Sequence, residues 1–301
     1  MAIISVIIPT YNRADYLKLA IESILAQDFQ DFEIIITDNA STDHTQQVVE
    51  AFQSEKIRYF KNETNIGVVP NHNLALQKAH GEYIHIFSDD DIMYPNNLQV
   101  KYEALINSGS LFVHGNIEVI NSTGIVVKDS HWASEFILDF PQISNYTQKD
   151  NFDRLFQEWN FISMPSVMFH RSLLDHVGYL HESYKFCPDW DYWLRASLVT
   201  NFIYIHDKLI QYRVHSTNTI AEASMLQMIN EVDHMRNYLF GIDNEHPFMI
   251  AKKIIDIHLI KEQQIKRFLN NKFLDTKPAS TLTRVKEKIN KIFYSNLLKI
   301  S

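Results

Sequence analysis

Between residues 3 and 95 the chain repeats one pattern four times, and that repetition limits the fold more than any single residue does. Each time, a short run rich in β-branched apolar residues gives way to a helix-like or loop segment. Ile3–Ile8 is such a run, as expected of a strand covered on both faces. Pro9 is expected to end it, and Ala14–Gln27 reads as a helix with Leu17, Ile21, Ile24 and Leu25 on one stripe. Glu33–Thr37, Ile57–Phe60 and Tyr83–Phe87 read as further strands. Ser41-Thr42-Asp43 looks like a helix start, and Pro70 opens a helix through Asn73–Ala79. Units of this kind imply an α/β fold with a mostly parallel sheet flanked by helices. Ligands then bind outside the carboxyl ends of the strands, which is where Thr10–Arg13, Asp38 and Asp89–Asp91 fall.

Beyond a helix at Leu98–Ser108 the pattern becomes mixed. Leu111–Ile120 and Ile125–Val127 flank the turn Asn121-Ser122-Thr123-Gly124, a hairpin signal. Ser166–His170, Phe202–Ile205 and Leu209–Val214 read as strands and Asp191–Thr200 as a helix. The segment Ser130–Asn160 carries no recognisable motif. The expected organisation is one α/β domain over residues 1–220, divided into halves 1–110 and 111–220, with a helical extension over 221–301.

Three consecutive carboxylates at a strand end raise one another's pKa unless something positive lies between them. A divalent cation removes that cost, and oxygen ligands suit Mg²⁺ or Mn²⁺. The alternative is an exposed acidic loop capping the helix that starts near Pro95. The alternating ligands and central glycine of an EF-hand are missing. Asp38 ends the second strand on the same rim, where its carboxylate can take a base N–H or cap the next helix. Thr10-Tyr11-Asn12-Arg13 adds an aromatic plate, an amide and a cation. Together these residues describe a pocket for a nucleotide diphosphate.

The same residues resemble the family 2 glycosyltransferases of GT-A fold. Val6-Ile7-Ile8-Pro9-Thr10-Tyr11-Asn12 looks like the family's opening motif, and Thr37-Asp38-Asn39-Ala40-Ser41-Thr42-Asp43 like its second. Asn65-Ile66-Gly67, Asn73 and Gly81-Glu82-Tyr83-Ile84 follow in the family's order. The resemblance implies that Asp38 reads the base with Tyr11 against it. It also implies that Pro9, Asn12, Arg13, Asn65 and Asn73 line the donor site. Asp89 would then lie near the ribose and diphosphate and Asp90 would ligate the metal, with Asp91 a second ligand. Two positions depart from the pattern: Ser88 stands where the motif often has Asp, and His72 where a basic residue often precedes Asn73.

Pro188-Asp189-Trp190-Asp191-Tyr192-Trp193-Leu194-Arg195 resembles the family's segment for the catalytic base, with Pro188 replacing a Glu. By that match Asp189 is the base, and Trp190 lines the acceptor side. The other reading of Asp189 is an N-cap for the helix behind it. Tyr212-Arg213-Val214-His215 resembles the closing Arg-x-His segment, so His215 would complete the metal shell or Arg213 would face the diphosphate. The implied reaction is inverting transfer of a hexose or N-acetylhexosamine from a nucleotide sugar, UDP by family habit. The expected acceptor is a glycan or glycolipid in surface polysaccharide synthesis. A sugar nucleotidyltransferase would need a glycine-rich loop after the first strand, and Pro9–Arg13 has no glycine. A silent nucleotide-sugar-binding module would be expected to lose Asp189, which is kept.

Composition bounds the setting. One cysteine rules out an internal disulfide, and no stretch of about 18 apolar residues is available to span a bilayer. No signal peptide is evident, so the expectation is a cytoplasmic chain. The net charge of −8 hides an asymmetry: residues 252–301 hold 12 Lys and Arg against 4 Asp and Glu. Such a basic tail suits the inner face of a membrane, although a solvated helical face reads equally well. An exposed apolar stripe of Val285, Ile289, Ile292 and Phe293 would make it a membrane or homodimer contact. No nucleic-acid partner is expected.

Overall fold

The computed structural model describes residues 2–127, 145–157, 160–215, 231, 232, 234 and 235. All of these belong to one compact unit, Met1–Gly241. Apart from those last four residues, the expected extension over 221–301 with its basic tail, and much of Ser130–Asn160, lie outside the described residues.

The first half follows the repeating pattern. Strands β1 (Ile4–Thr10), β2 (Phe32–Asp38), β3 (Ile57–Lys61) and β4 (Tyr83–Ile86) alternate with helices α1 (Ala14–Leu25), α2 (Thr45–Ala51) and α3 (Val68–Lys78). These four strands pair in parallel in the order β3-β2-β1-β4. Ile4, Val6, Ile8, Ile34 and Ile36 are fully buried and pack with Leu17, Ile21 and Ile24 of α1. β1 runs one residue past Pro9 instead of stopping before it. The Thr10 carbonyl accepts from Asn39 on the β2 side, whereas the Ile7 carbonyl accepts from Phe87 on the β4 side. By alternation Pro9 shares the side of Ile7, where β4 has already ended, so its missing N–H costs no ladder bond.

The second half makes the sheet mixed. α4 (Asn97–Ser108) ends on left-handed Gly109, and β6 (Phe112–Asn121) follows. β7 (Asn145–Tyr146), α5 (Gln148–Gln157), β8 (Met168–His170), α6 (Leu173–Val177), α7 (Pro188–Ser197) and β9 (Phe202–Val214) complete the order. β8 lies antiparallel between β4 and β6, and β9 runs parallel to β6. The two strands expected over 202–214 are one, because register shifts at Gly115 and Asn116 let β6 follow β9 across its exposed middle. The expected hairpin closes through a single bridge, Ile120 to Val126.

The short strand β5 (Ile92–Met93), unannounced by any hydrophobic run, decides where the site forms. It pairs antiparallel with β9, Ile92 opposite Gln211 and Met93 opposite Ile210. The three aspartates immediately precede β5, so this register carries the loop Asp89–Asp91 onto the end of β9, beside Tyr212, Arg213 and His215.

Candidate active site

The rim formed by β1, β2, β4 and β9 gathers most of the expected polar residues. Asp89, Asp90 and Asp91 are 5%, 5% and 1% exposed, so three carboxylates are desolvated side by side. The Arg13 guanidinium answers them, with Nη1 3.1 Å from Asp89 and 2.6 Å from Asp90. Thr10 Oγ1 donates to Asp89 at 2.7 Å. His215 Nε2 lies 3.0 Å from Asp90 Oδ2, and its ring stacks on Tyr16.

The electrostatics follow from crowding. Burial, then the Asp90 charge, push both Asp89 and Asp91 above the usual carboxylate range. For Asp89, Arg13 and Thr10 offset part of that rise. Burial acts to lower the Arg13 guanidinium, but Asp89 and Asp90 outweigh it and hold the group above its ordinary value. Asp91 Oδ1 accepts from the backbone N–H of Arg213 at 2.7 Å, whereas its Oδ2 is buried with no hydrogen-bond partner. An orphaned carboxylate oxygen in an acidic cluster is the mark of a place where positive charge belongs.

These donors fit a divalent cation. Asp90 and His215 supply an oxygen and a nitrogen within contact of each other, and Arg13 supplies the positive charge in the structure as it stands. Among the described residues no three His, Cys, Asp or Glu side chains form a ready-made cage. One or two protein ligands, the rest coming from phosphate oxygens and water, is how Mg²⁺ is ordinarily held beside a nucleotide.

The remaining expected residues fall into three groups. Tyr11 is 45% exposed on the rim, free of any tight packing that would stop it lying against a ring. Asn12 adopts φ 53°, with its N–H donating to Ser41 Oγ and its side-chain oxygen accepting from Thr42, so it ties the first loop to the second. Asp38 is fully buried, and its carboxylate accepts from the Ser41 N–H and the Tyr59 hydroxyl. Asn65 accepts from Asn39 and Gly67, ordering the loop before α3.

Three residues sit differently from expectation. Asn73 turns toward the second half, exchanging two hydrogen bonds with the Leu180 backbone at 2.9 and 3.0 Å. Arg213 is 2% exposed, and its bonds run to the carbonyls of Asp90, Asn121 and Ser122, so it braces the acidic loop. Trp190 is 1% exposed, and its indole N–H donates to Leu155, which turns it into the core rather than toward an acceptor.

Asp189 occupies the first turn of α7, just after Pro188 at the helix start. Burial pushes its carboxyl up to about 6, against the pull of the Trp190 N–H and the Asn160 side chain. Asn160 Nδ2 donates to Asp189 Oδ2 at 2.8 Å. The Tyr212 phenol is raised first by burial and then by the charges of Asp91, Asp90 and Asp189. One tyrosine feeling all three carboxylates puts the α7 start and the acidic loop within electrostatic reach of the same side chain. Asn160 and Tyr59 gave no sequence signal as site residues, because both act on a carboxylate distant in the chain.

The sequence signature of Glycosyl transferase family 2 matches residues 5–178, more than half of the chain. The chain belongs to this family. The stretch from β1 to the end of α6 is the part that matches, and Asp189 and His215 lie beyond it. An uncharacterized glycosyltransferase of Rickettsia typhi is 29% identical over 225 residues, 72% of this chain and 65% of the relative. Other Rickettsia relatives are longer still, the chain spanning 44% and 34% of two of them. A GalNAc(5)-diNAcBac-PP-undecaprenol beta-1,3-glucosyltransferase of Campylobacter jejuni is 30% identical over 220 residues, 72% of this chain and 66% of the relative. Among solved structures, S. aureus TarS 1-349 in complex with UDP superposes with TM-score 0.64 at 21% identity, covering 92% of this chain and 76% of the 1-349 chain. That likeness establishes the GT-A-type fold.

Proposed function

We propose that this family 2 glycosyltransferase carries out inverting transfer of a hexosyl or N-acetylhexosaminyl group from a UDP-sugar to a hydroxyl of a lipid-linked saccharide. The observation that carries the reading is an acidic loop matched by Arg13 and His215, together with a separate Asp189 at the start of α7, fixed by Asn160, whose charge reaches the same Tyr212 phenol as those of Asp90 and Asp91. A pKa near the working pH suits a group that must take a proton and release it. Relatives support the substrate classes. The Campylobacter jejuni enzyme is named for an undecaprenol-linked acceptor, and a TarS structure holds UDP-GlcNAc.

In this reading Tyr11 lies against the base while the buried Asp38 holds the Ser41 turn beside it, and Thr10 and Arg13 order the acidic loop and meet the diphosphate. The acceptor oxygen attacks the anomeric carbon from the side opposite the diphosphate, and its proton passes to the Asp189 carboxylate. The bond from the anomeric carbon to the β-phosphate oxygen breaks, and its electron pair leaves with UDP. Mn²⁺ or Mg²⁺ bound at Asp90 and His215, with Asp91 beside them, would neutralise the charge developing on that diphosphate. Asn160 and the Trp190 N–H hold the Asp189 carboxylate in place to take the acceptor proton. The basic segment 252–301 would hold the protein at a membrane surface where lipid-linked acceptors reside.

The test offers UDP-glucose and UDP-GlcNAc with undecaprenyl-diphosphate-linked GlcNAc and determines the anomeric configuration of the product. Inverted product, lost in Asp189→Asn while UDP still binds, is expected. Retained configuration, or an unimpaired Asp189→Asn variant, would overturn the assignment of Asp189.

A further inference from the structure

Helix α7 carries Asp189, whose carboxylate takes the Trp190 N–H in the first turn, but the residue before the helix supplies no side-chain cap. Pro188 has no N–H, and the Cys187 side chain makes no cap bond. The N–H groups of the three preceding residues converge instead on one carboxylate from more than 40 residues later in the chain. Glu231 Oε1 accepts from Lys185 at 2.9 Å, and Glu231 Oε2 accepts from Phe186 at 2.7 Å and Cys187 at 3.1 Å. The attachment is more than one side chain. Val232 and Met235 are 2% and 0% exposed, and His234 meets the Tyr184 hydroxyl at 3.2 Å. Charge-assisted bonds to backbone N–H groups are about twice as strong as neutral ones, and a negative charge at a helix N-terminus is favoured by its dipole.

We infer that Glu231 is a positioning residue for Asp189: a segment outside the stretch matching the family signature fixes the start of α7, and with it the direction of the base. Asp189 is two residues beyond the last N–H that Glu231 holds. Its own carboxylate is set by the helix start, through the Trp190 N–H, and by Asn160. Among the described residues, the Tyr212 phenol also feels the Asp189 charge. Glu231 therefore controls burial and aim of the base without touching substrate. The inference rests on the proposed role of Asp189 for its catalytic meaning, though the physical link stands apart from it.

Cys187 gives a direct probe, since it is the chain's one cysteine, is 2% exposed and has its N–H on Glu231. Glu231→Gln and Glu231→Asp are compared in the full chain by three measurements. These are the rate of Cys187 modification by DTNB, the Asp189 titration followed by carbon NMR and assigned with Asp189→Asn, and UDP affinity. Glu231→Gln is expected to speed labelling at least tenfold and to move the Asp189 midpoint down from about 6 toward the usual aspartate value. UDP affinity should stay within twofold, and Glu231→Asp should restore part of both effects. Wild-type labelling and an unmoved Asp189 midpoint in Glu231→Gln would overturn the inference. So would faster labelling with an unmoved midpoint, which would leave Glu231 a brace and nothing more. A fully active Asp189→Asn would instead sink the proposed mechanism, and these readouts would still judge the link.

Discussion

Replacing Asp189 with Asn should make the protein more stable while it stops turning over, and the gain should depend on pH in a defined way. The folded carboxyl sits at about 6 because burial disfavours its charge, whereas in the unfolded chain it returns to an ordinary aspartate value of 3.8. Below pH 3.8 both states are protonated, and the group contributes nothing to the pH dependence. As pH rises from there to about 6, the unfolded state ionises first and pulls the equilibrium toward unfolding. A gap of about two units at 1.36 kcal/mol each gives on the order of 2–3 kcal/mol of lost stability, complete above the folded pKa. Asn has no proton to lose, and its side-chain oxygen still accepts from Asn160. Asp189→Asn should therefore unfold at higher urea than wild type at pH 7.5, by about 2 kcal/mol, with the difference vanishing near pH 3.5. Turnover should fall about 10²–10⁴-fold, as for loss of a positioned base. A variant equally or less stable than wild type at pH 7.5 would refute the claim that Asp189 is held against its preferred charge state. Stored destabilisation of this kind is what a site accepts in exchange for reactivity.

Two further outcomes follow from the same physics. Arg13→Met leaves Asp89 and Asp90 without their shared guanidinium, so it should lower Tm in EDTA by several degrees, and Mn²⁺ should raise Tm more in the variant than in wild type. Lys101 is fully buried, with burial pushing its amine well below the usual lysine range and His85 Nε2 at 3.1 Å. Its unfolded form is charged below pH 10.5 where the buried one resists charging, so Lys101→Met should raise stability by ~1 kcal/mol at neutral pH and by less above pH 10.5.

Much of the first half was legible because its strands are buried on both faces and its motifs are local. Ile34–Ile36 cannot be anything but a covered strand, and Asp38 and Asp89 must then share a rim. What escaped was whatever depends on a partner far along the chain. β5 is two residues long, and only its pairing with β9 makes it a strand or brings His215 to Asp90. Arg213 and His215 share one motif and, two residues apart at the strand end, one side of it: Arg213 braces the Asp90 carbonyl and His215 meets the Asp90 carboxylate. Trp190 and Asp189 are neighbours on a helix, about 100° apart, so Trp190 turns into the core toward Leu155 while Asp189 turns to Asn160. Asn73 looked like a donor contact by its order in the family pattern, yet its side chain bonds the Leu180 backbone and Glu182. The expected start of α7 at Asp191 missed Pro188, whose absent N–H costs nothing in a first helical turn.

The most direct test of the account is calorimetric titration of UDP into the protein with Mn²⁺ and again with EDTA, repeated for Asp90→Ala. The account predicts micromolar binding with Mn²⁺ that weakens at least tenfold in EDTA, and an Asp90→Ala variant that shows only the weak binding under both conditions. Equal affinity with and without the metal, unchanged by Asp90→Ala, would contradict the acidic loop as the place where cation and diphosphate meet.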